Sequence, residues 1–80
     1  MHLWDVQKTN LVDGSRLSTV YNPVAFWPTG GQRPPAGQVA HHYETARLWP
    51  DGDVEPLETY AMREDARHGH YRWLRRVQEA

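Results

Sequence analysis

Five histidines are the residues best suited to chemistry in this chain, and their spacing limits what they can do. His41 and His42 are neighbours in a stretch that reads as a strand, so they point to opposite faces. His68 and His70 lie two apart in a stretch that reads as a helix, and they diverge as well. A zinc site wants three or four converging ligands, commonly at i, i+4 spacing on a helix or with paired thiolates, and neither pattern occurs. One set can converge: His42 and Glu44 share a strand face, and His70 reaches them if the apolar side of its helix packs there. Such a cluster has an acid–base reading. The weightier reading is a structural polar cluster, with His70 a core histidine bonded to Glu44 or to backbone, because burying these groups unpartnered is costly.

Nucleophilic chemistry has little to work with. The chain has no cysteine, and Ser15 and Ser18 lack a Gly-x-Ser-x-Gly setting. Neither Gly-x-Gly-x-x-Gly nor a phosphate-cradling Gly-x-x-x-x-Gly-Lys appears. These observations predict a protein that is not an enzyme, with no catalytic residue, no metal and no cofactor.

Binding has more to work with. Arg63, Arg67, Arg72, Arg75 and Arg76 cluster near the C-terminus with Tyr71 among them. Arginine and tyrosine are favoured at interface hot spots. Glu64, Asp65 and Glu79 stand beside them, so a solvated helix face is the plainer alternative. Phe26 and Trp27 form a second candidate, two large rings in a Pro/Gly-rich stretch. They either fold back over the core or meet a partner, and the first is the plainer outcome.

These side chains need elements to hold them. Trp4 and Val6 alternate with Asp5 and Gln7 over residues 3–8, a period of two that predicts a strand. Asp13-Gly14 supplies a turn, and Arg16 to Tyr21, with Thr19, Val20 and Tyr21, predicts its hairpin partner. Residues 22–37 carry Pro23, Pro28, Gly30, Gly31, Pro34, Pro35 and Gly37, which predicts a long loop. Gln38 to Trp49 alternates as the longest strand, Pro50-Asp51-Gly52-Asp53 is a turn, and Val54 to Tyr60 returns. Pro56 cannot donate to a ladder, so that last strand either lies at an edge or begins after the proline. Residues 63–79 predict a helix whose apolar face carries Met62, Ala66, His70, Trp73, Leu74 and Val77. Acidic Glu64 and Asp65 begin it and Arg75 and Arg76 end it, as the helix dipole favours. Gly69 within it marks a close approach, expected to be to the sheet.

The order β-β-loop-β-β-α predicts an α+β fold, a small antiparallel sheet of three to four strands packed by one C-terminal helix. Residues 1–80 read as one domain, because a chain of 80 residues has room for no more. Nine Lys and Arg against ten Asp and Glu leave a net charge of −1, which argues against wrapping nucleic acid. No apolar run approaches a membrane span, and the opening Met-His-Leu-Trp-Asp-Val has no basic start or hydrophobic segment of a secretion signal. The expected location is the cytoplasm.

Arg16-Leu-Ser-Thr-Val-Tyr21, Pro34-Pro35, Tyr43-Glu44-Thr45-Ala46 and Tyr60-Ala61-Met62-Arg63-Glu64-Asp65-Ala66 followed by Gly69-His70 stand in that order along the chain. Together they resemble a family of small proteins encoded by bacterial tailed phages and prophages. Tyr43 stands where the family pattern has Phe, Ala46 where it has Met, and Met62 where it has a helix-capping Thr. The resemblance implies a phage origin, a bacterial host cytoplasm and a His70 that belongs to the fold. The resulting expectation is an accessory protein that binds a host or phage protein, such as an inhibitor of a host defence system or a host-takeover factor. A minor virion or assembly component, in one form a homo-oligomer built on the edge strand near Pro56, is the alternative, and a nucleic-acid-binding protein stands behind both.

Overall fold

A computed structural model describes residues 4–26 and 40–79. Strands β1 (Trp4–Asn10), β2 (Arg16–Phe26), β3 (His41–Leu48) and β4 (Val54–Tyr60) form one antiparallel sheet in the order β1-β2-β3-β4. Helix α1 (Arg63–Glu79) packs across it, so the fold is α+β. Each strand neighbours the next in sequence, and tight turns join β1 to β2 and β3 to β4. At the first turn the Leu11 and Ser15 backbones bond, and Asp13 accepts from the Ser15 amide and hydroxyl. Gly14 there has φ 89°, a left-handed conformation that side chains with a Cβ resist. Gly52 plays the same part, at φ 97°, in the turn before β4.

The sheet departs from the alternation in three places. Strand β2 runs on through Pro23 to Phe26, into the segment expected as loop, and its register against β3 slips between Tyr21 and Phe26. Asn22 holds this irregular stretch: its side chain accepts from the Val24 amide, and its carbonyl accepts from His42 Nδ1. In β4 the residue Leu57 is extra, since Glu58 faces Thr45 and Pro56 faces Ala46. Pro56 therefore sits beside a bulge on an edge strand, where a missing N–H does least harm. In β1 the register shifts between Asp5 and Gln7, leaving Val6 as the extra residue.

Among the described residues the core is small and largely polar. Leu17, Ala46, Tyr60 and Ala66 are its buried apolar members, while Ser15, Ser18, Thr19, Asn22, Thr45 and His70 are buried polar ones. Helix α1 contributes Ala66, Gly69 and His70, with Trp73, Leu74 and Val77 half-buried. Met62, expected on the apolar face, is instead 63% exposed, because it precedes the first helical turn and its carbonyl accepts the Ala66 amide. Gly69 lies against β4: a Cβ there would overlap the ring of Tyr60. The close approach read from the glycine is thus to the sheet's last strand residue.

Candidate functional site

His70 is the centre of the buried polar core, and its partners differ from those expected. Its Nδ1 is 2.8 Å from Thr19 Oγ1 and its Nε2 is 3.0 Å from Thr9 Oγ1. Thr19 continues to Thr45 at 2.6 Å, and Tyr60 donates its hydroxyl to Thr45 Oγ1. One neutral imidazole is therefore held between hydroxyls from β1 and β2, and the chain of bonds crosses all four strands. Threonine hydroxyls can donate or accept, so they satisfy both ring nitrogens in either tautomer. Burial pushes the His70 pKa below its ordinary 6.5 and that of Tyr60 up to about 12, so both stay uncharged near neutrality. Among the described residues no buried side-chain nitrogen or oxygen lacks a partner.

The expected cluster of His42, Glu44 and His70 is not assembled. Glu44 and Thr45 are successive strand residues, so Glu44 points away from the face that carries Thr45 and His70. His42 bonds the Asn22 carbonyl instead. Burial raises the Glu44 pKa above 4.5, on the face of the sheet that the helix does not cover. Two threonines, Thr9 and Thr19, and not a carboxylate, partner the core histidine, with Thr45 behind Thr19. Thr19 and Thr45 fall in stretches that read as strands, Thr9 lies one residue beyond the first of them, and the convergence of all three depends on register.

The arginines of α1 fall into two groups. Arg72 pairs with Glu58 of β4, which also accepts from Trp73 Nε1 at 2.9 Å. Burial alone would raise the Glu58 pKa, but its hydrogen bonds, led by Trp73, hold it below 4.5. Arg76 lies over the Trp73 ring at 5.1 Å. These two cations fasten the helix to its own sheet and to itself. Arg67 pairs loosely with Glu64 at 3.3 Å, both well exposed, and such a pair is worth little. Arg63 and Arg75 form no ion pair among the described residues.

Spacing by four places Arg63, Arg67, Tyr71 and Arg75 on one ridge of the helix. All four are exposed, Tyr71 by 55%. This ridge lies away from the buried positions Ala66, Gly69 and His70. Of the residues singled out from sequence, Arg67, Tyr71 and Arg75 are therefore brought together, and Arg72 and Arg76 are turned to structural work. Trp27 lies outside the described residues, and for Phe26 only the backbone is described, paired with His41.

A second feature was not legible in the sequence. Trp4, Tyr21, Tyr43 and Tyr60 are successive cross-strand partners, one from each strand. The Trp4 and Tyr21 ring centroids are 5.3 Å apart, and those of Tyr21 and Tyr43 are 5.2 Å apart, distances at which aromatic rings attract. Tyr60 closes the row beneath Gly69, while Trp4, at the other end, is 53% exposed. Trp4, Tyr21 and Tyr43 line a cavity of about 330 Å³ with Asp5, Val6 and Arg63. The bulge at Val6 makes this possible. Trp4 and Gln7 are three residues apart and would face opposite sides of a regular strand, yet both now align with residues two apart on β2. The simple alternation pairing Trp4 with Val6 is broken there.

Among the described residues no group of three or more His, Cys, Asp and Glu is placed to hold a metal ion. No helix among them is long and apolar enough to cross a membrane. Comparison with protein families, with curated proteins and with solved structures found no match.

Proposed function

We propose that this chain is a small binding protein, of phage or prophage origin, that acts without catalysis by occupying a surface of a host or phage protein. Inhibition of a host defence system is the role that best suits such a module. The observation that carries this reading is the exposed ridge Arg63-Arg67-Tyr71-Arg75, three cations around one ring on a helix anchored by its other side. Tyrosine buries a large ring with few rotatable bonds, and arginine presents a rigid planar fork of donors, and both recur at interface hot spots. The polar core supports the same reading, since its one buried histidine is held by hydroxyls on both nitrogens and is spent on the fold. The phage origin rests on the order of the sequence segments given above.

Affinity capture of the tagged protein from bacterial lysate, with and without nuclease, tests the reading. A protein retained in stoichiometric amount after nuclease, and lost with Tyr71→Ala plus Arg75→Glu, is the expected result. Recovery of the chain alone, as a homo-oligomer of defined mass, would replace this reading with a structural one. Retention that vanishes with nuclease would point to nucleic acid.

A further inference from the structure

We propose that the cup formed by Trp4, Tyr21 and Tyr43, with Arg63 at its rim, is an anchor pocket for an aromatic side chain carried in an acidic segment of a partner protein. The inference rests on the protein-binding reading above and names where, and to what chemistry, that binding is directed.

Three observations carry it. First, the cup is built rather than incidental. Each of three strands delivers one ring to it, and β1 spends a bulge to bring Trp4 into line with Tyr21. A bulge that re-aims one side chain is a common device beside binding sites. Second, the aromatic surface stays open where the fold could have closed it. The helix begins at Arg63, beyond the end of the row, so Tyr60 is covered while Trp4 stands 53% exposed. At about 330 Å³ the cavity suits one large side chain and no folded element. Tilted rings about 5 Å apart offer edges and faces to another ring.

Third, charge selects the surroundings of the anchor. Arg63 lines the cup and has no ion pair among the described residues. It is also the first residue of the ridge that continues through Arg67 to Arg75. A segment whose ring enters the cup and whose carboxylates follow the ridge would pair with all three cations. Nucleic acid fits less well. Asp5 lines the same cup, and Glu64 and Asp65 stand in the first helical turn, so a phosphate on every nucleotide would meet carboxylates as well as arginines. Asp5 is itself engaged by Lys8 at 3.1 Å, and a peptide can place its acids to avoid it.

A random-peptide display library selected against the folded protein provides the probe. Enriched peptides are expected to carry Trp, Tyr or Phe within a few positions of two or more acidic residues. A synthetic peptide of that consensus should shift the Trp4 indole signal in NMR spectra and bind at least about tenfold more weakly to Trp4→Ala and to Arg63→Glu. Both variants should unfold at nearly the wild-type temperature, because Trp4 is on an edge strand and an acid is favoured at the helix start. Enrichment without an aromatic–acidic consensus, or equal affinity for both variants, would overturn the pocket. So would an oligothymidylate that binds the cup more tightly than the peptide, with affinity falling steeply with salt. If a captured partner is retained equally by Trp4→Ala, the pocket fails while the binding reading stands. If no protein is captured at all, the binding reading fails whatever the library yields.

Discussion

Two neighbouring rows of side chains cross the same face of the sheet and are built in opposite ways. One row, Gln7-Thr19-Thr45-Glu58, is polar and lies under the helix. The next, Trp4-Tyr21-Tyr43-Tyr60, is aromatic and runs out from under the helix into solvent. An ordinary domain of this size would bury the rings and expose the hydroxyls. Here the polar row is closed because His70 and Tyr60 complete its hydrogen bonds, so burial leaves nothing unpaired. The aromatic row is kept open at the cost of exposed apolar area. The contrast places a closed hydrogen-bonded row and an open aromatic end one step apart along the strands. The polar row, with Tyr60, holds the fold, and the Trp4 end of the aromatic row is left at the surface.

The sharpest way to break this contrast is to empty the polar row. His70→Ala should destabilise the protein by about 3 kcal/mol, since it leaves a void and deprives Thr9 and Thr19 of their partner. Urea unfolding would measure it, and a loss under about 1 kcal/mol would show that the network contributes little. Gly69→Ala is expected next, at about 2 kcal/mol. The added methyl overlaps a Tyr60 ring that is buried and tied to Thr45, and this outweighs the roughly 1 kcal/mol by which alanine favours a helix. Pairing it with Tyr60→Phe separates the clash from the hydrogen bond. If Gly69→Ala instead raises the melting temperature, the helix does not sit against Tyr60 as described.

The pH dependence sharpens the same comparison. Because folding depresses the His70 pKa, the unfolded chain binds more protons than the folded one below pH 6.5. Stability contributed by neutral His70 is therefore complete above pH 6.5 and lost as pH falls toward the depressed folded value, with a slope of at most about 1.4 kcal/mol per pH unit. The depressed carboxyls of Asp13 and Glu58 lose their contributions only below their ordinary values of 3.8 and 4.5. Glu44 acts oppositely, favouring the fold while protonated and less as pH rises through its raised value. Unfolding curves for wild type and His70→Gln between pH 5 and 7.5 isolate the histidine, and identical slopes would remove it as the cause.

Smaller effects are expected away from the polar row. Met62→Thr should stabilise by about 1 kcal/mol, because Met62 occupies the capping position and a hydroxyl there can accept a free helix amide. An unchanged midpoint in urea would show that the amide is already satisfied. Trp4→Ala, in the aromatic row, should change stability by less than about 1 kcal/mol while reducing affinity for the acidic peptide, which is the separation the two rows imply.

Much of the fold was legible from residue order. Asp13-Gly14 and Pro50-Asp51-Gly52 mark both turns, Pro56 marks an edge, and acidic and basic ends bracket α1. These are local signals, written within a few residues of where they act. The arginine ridge was partly legible for the same reason, since helical spacing is a local rule. What only the tertiary structure decided is which residues meet across strands. A one-residue bulge at Val6 put Trp4 beside Tyr21, and the register of three strands, not any nearby residue, gave His70 threonines in place of Glu44. Alternation along a strand reports which side chains share a face, but a single extra residue reverses it, and no local propensity announces where that residue falls.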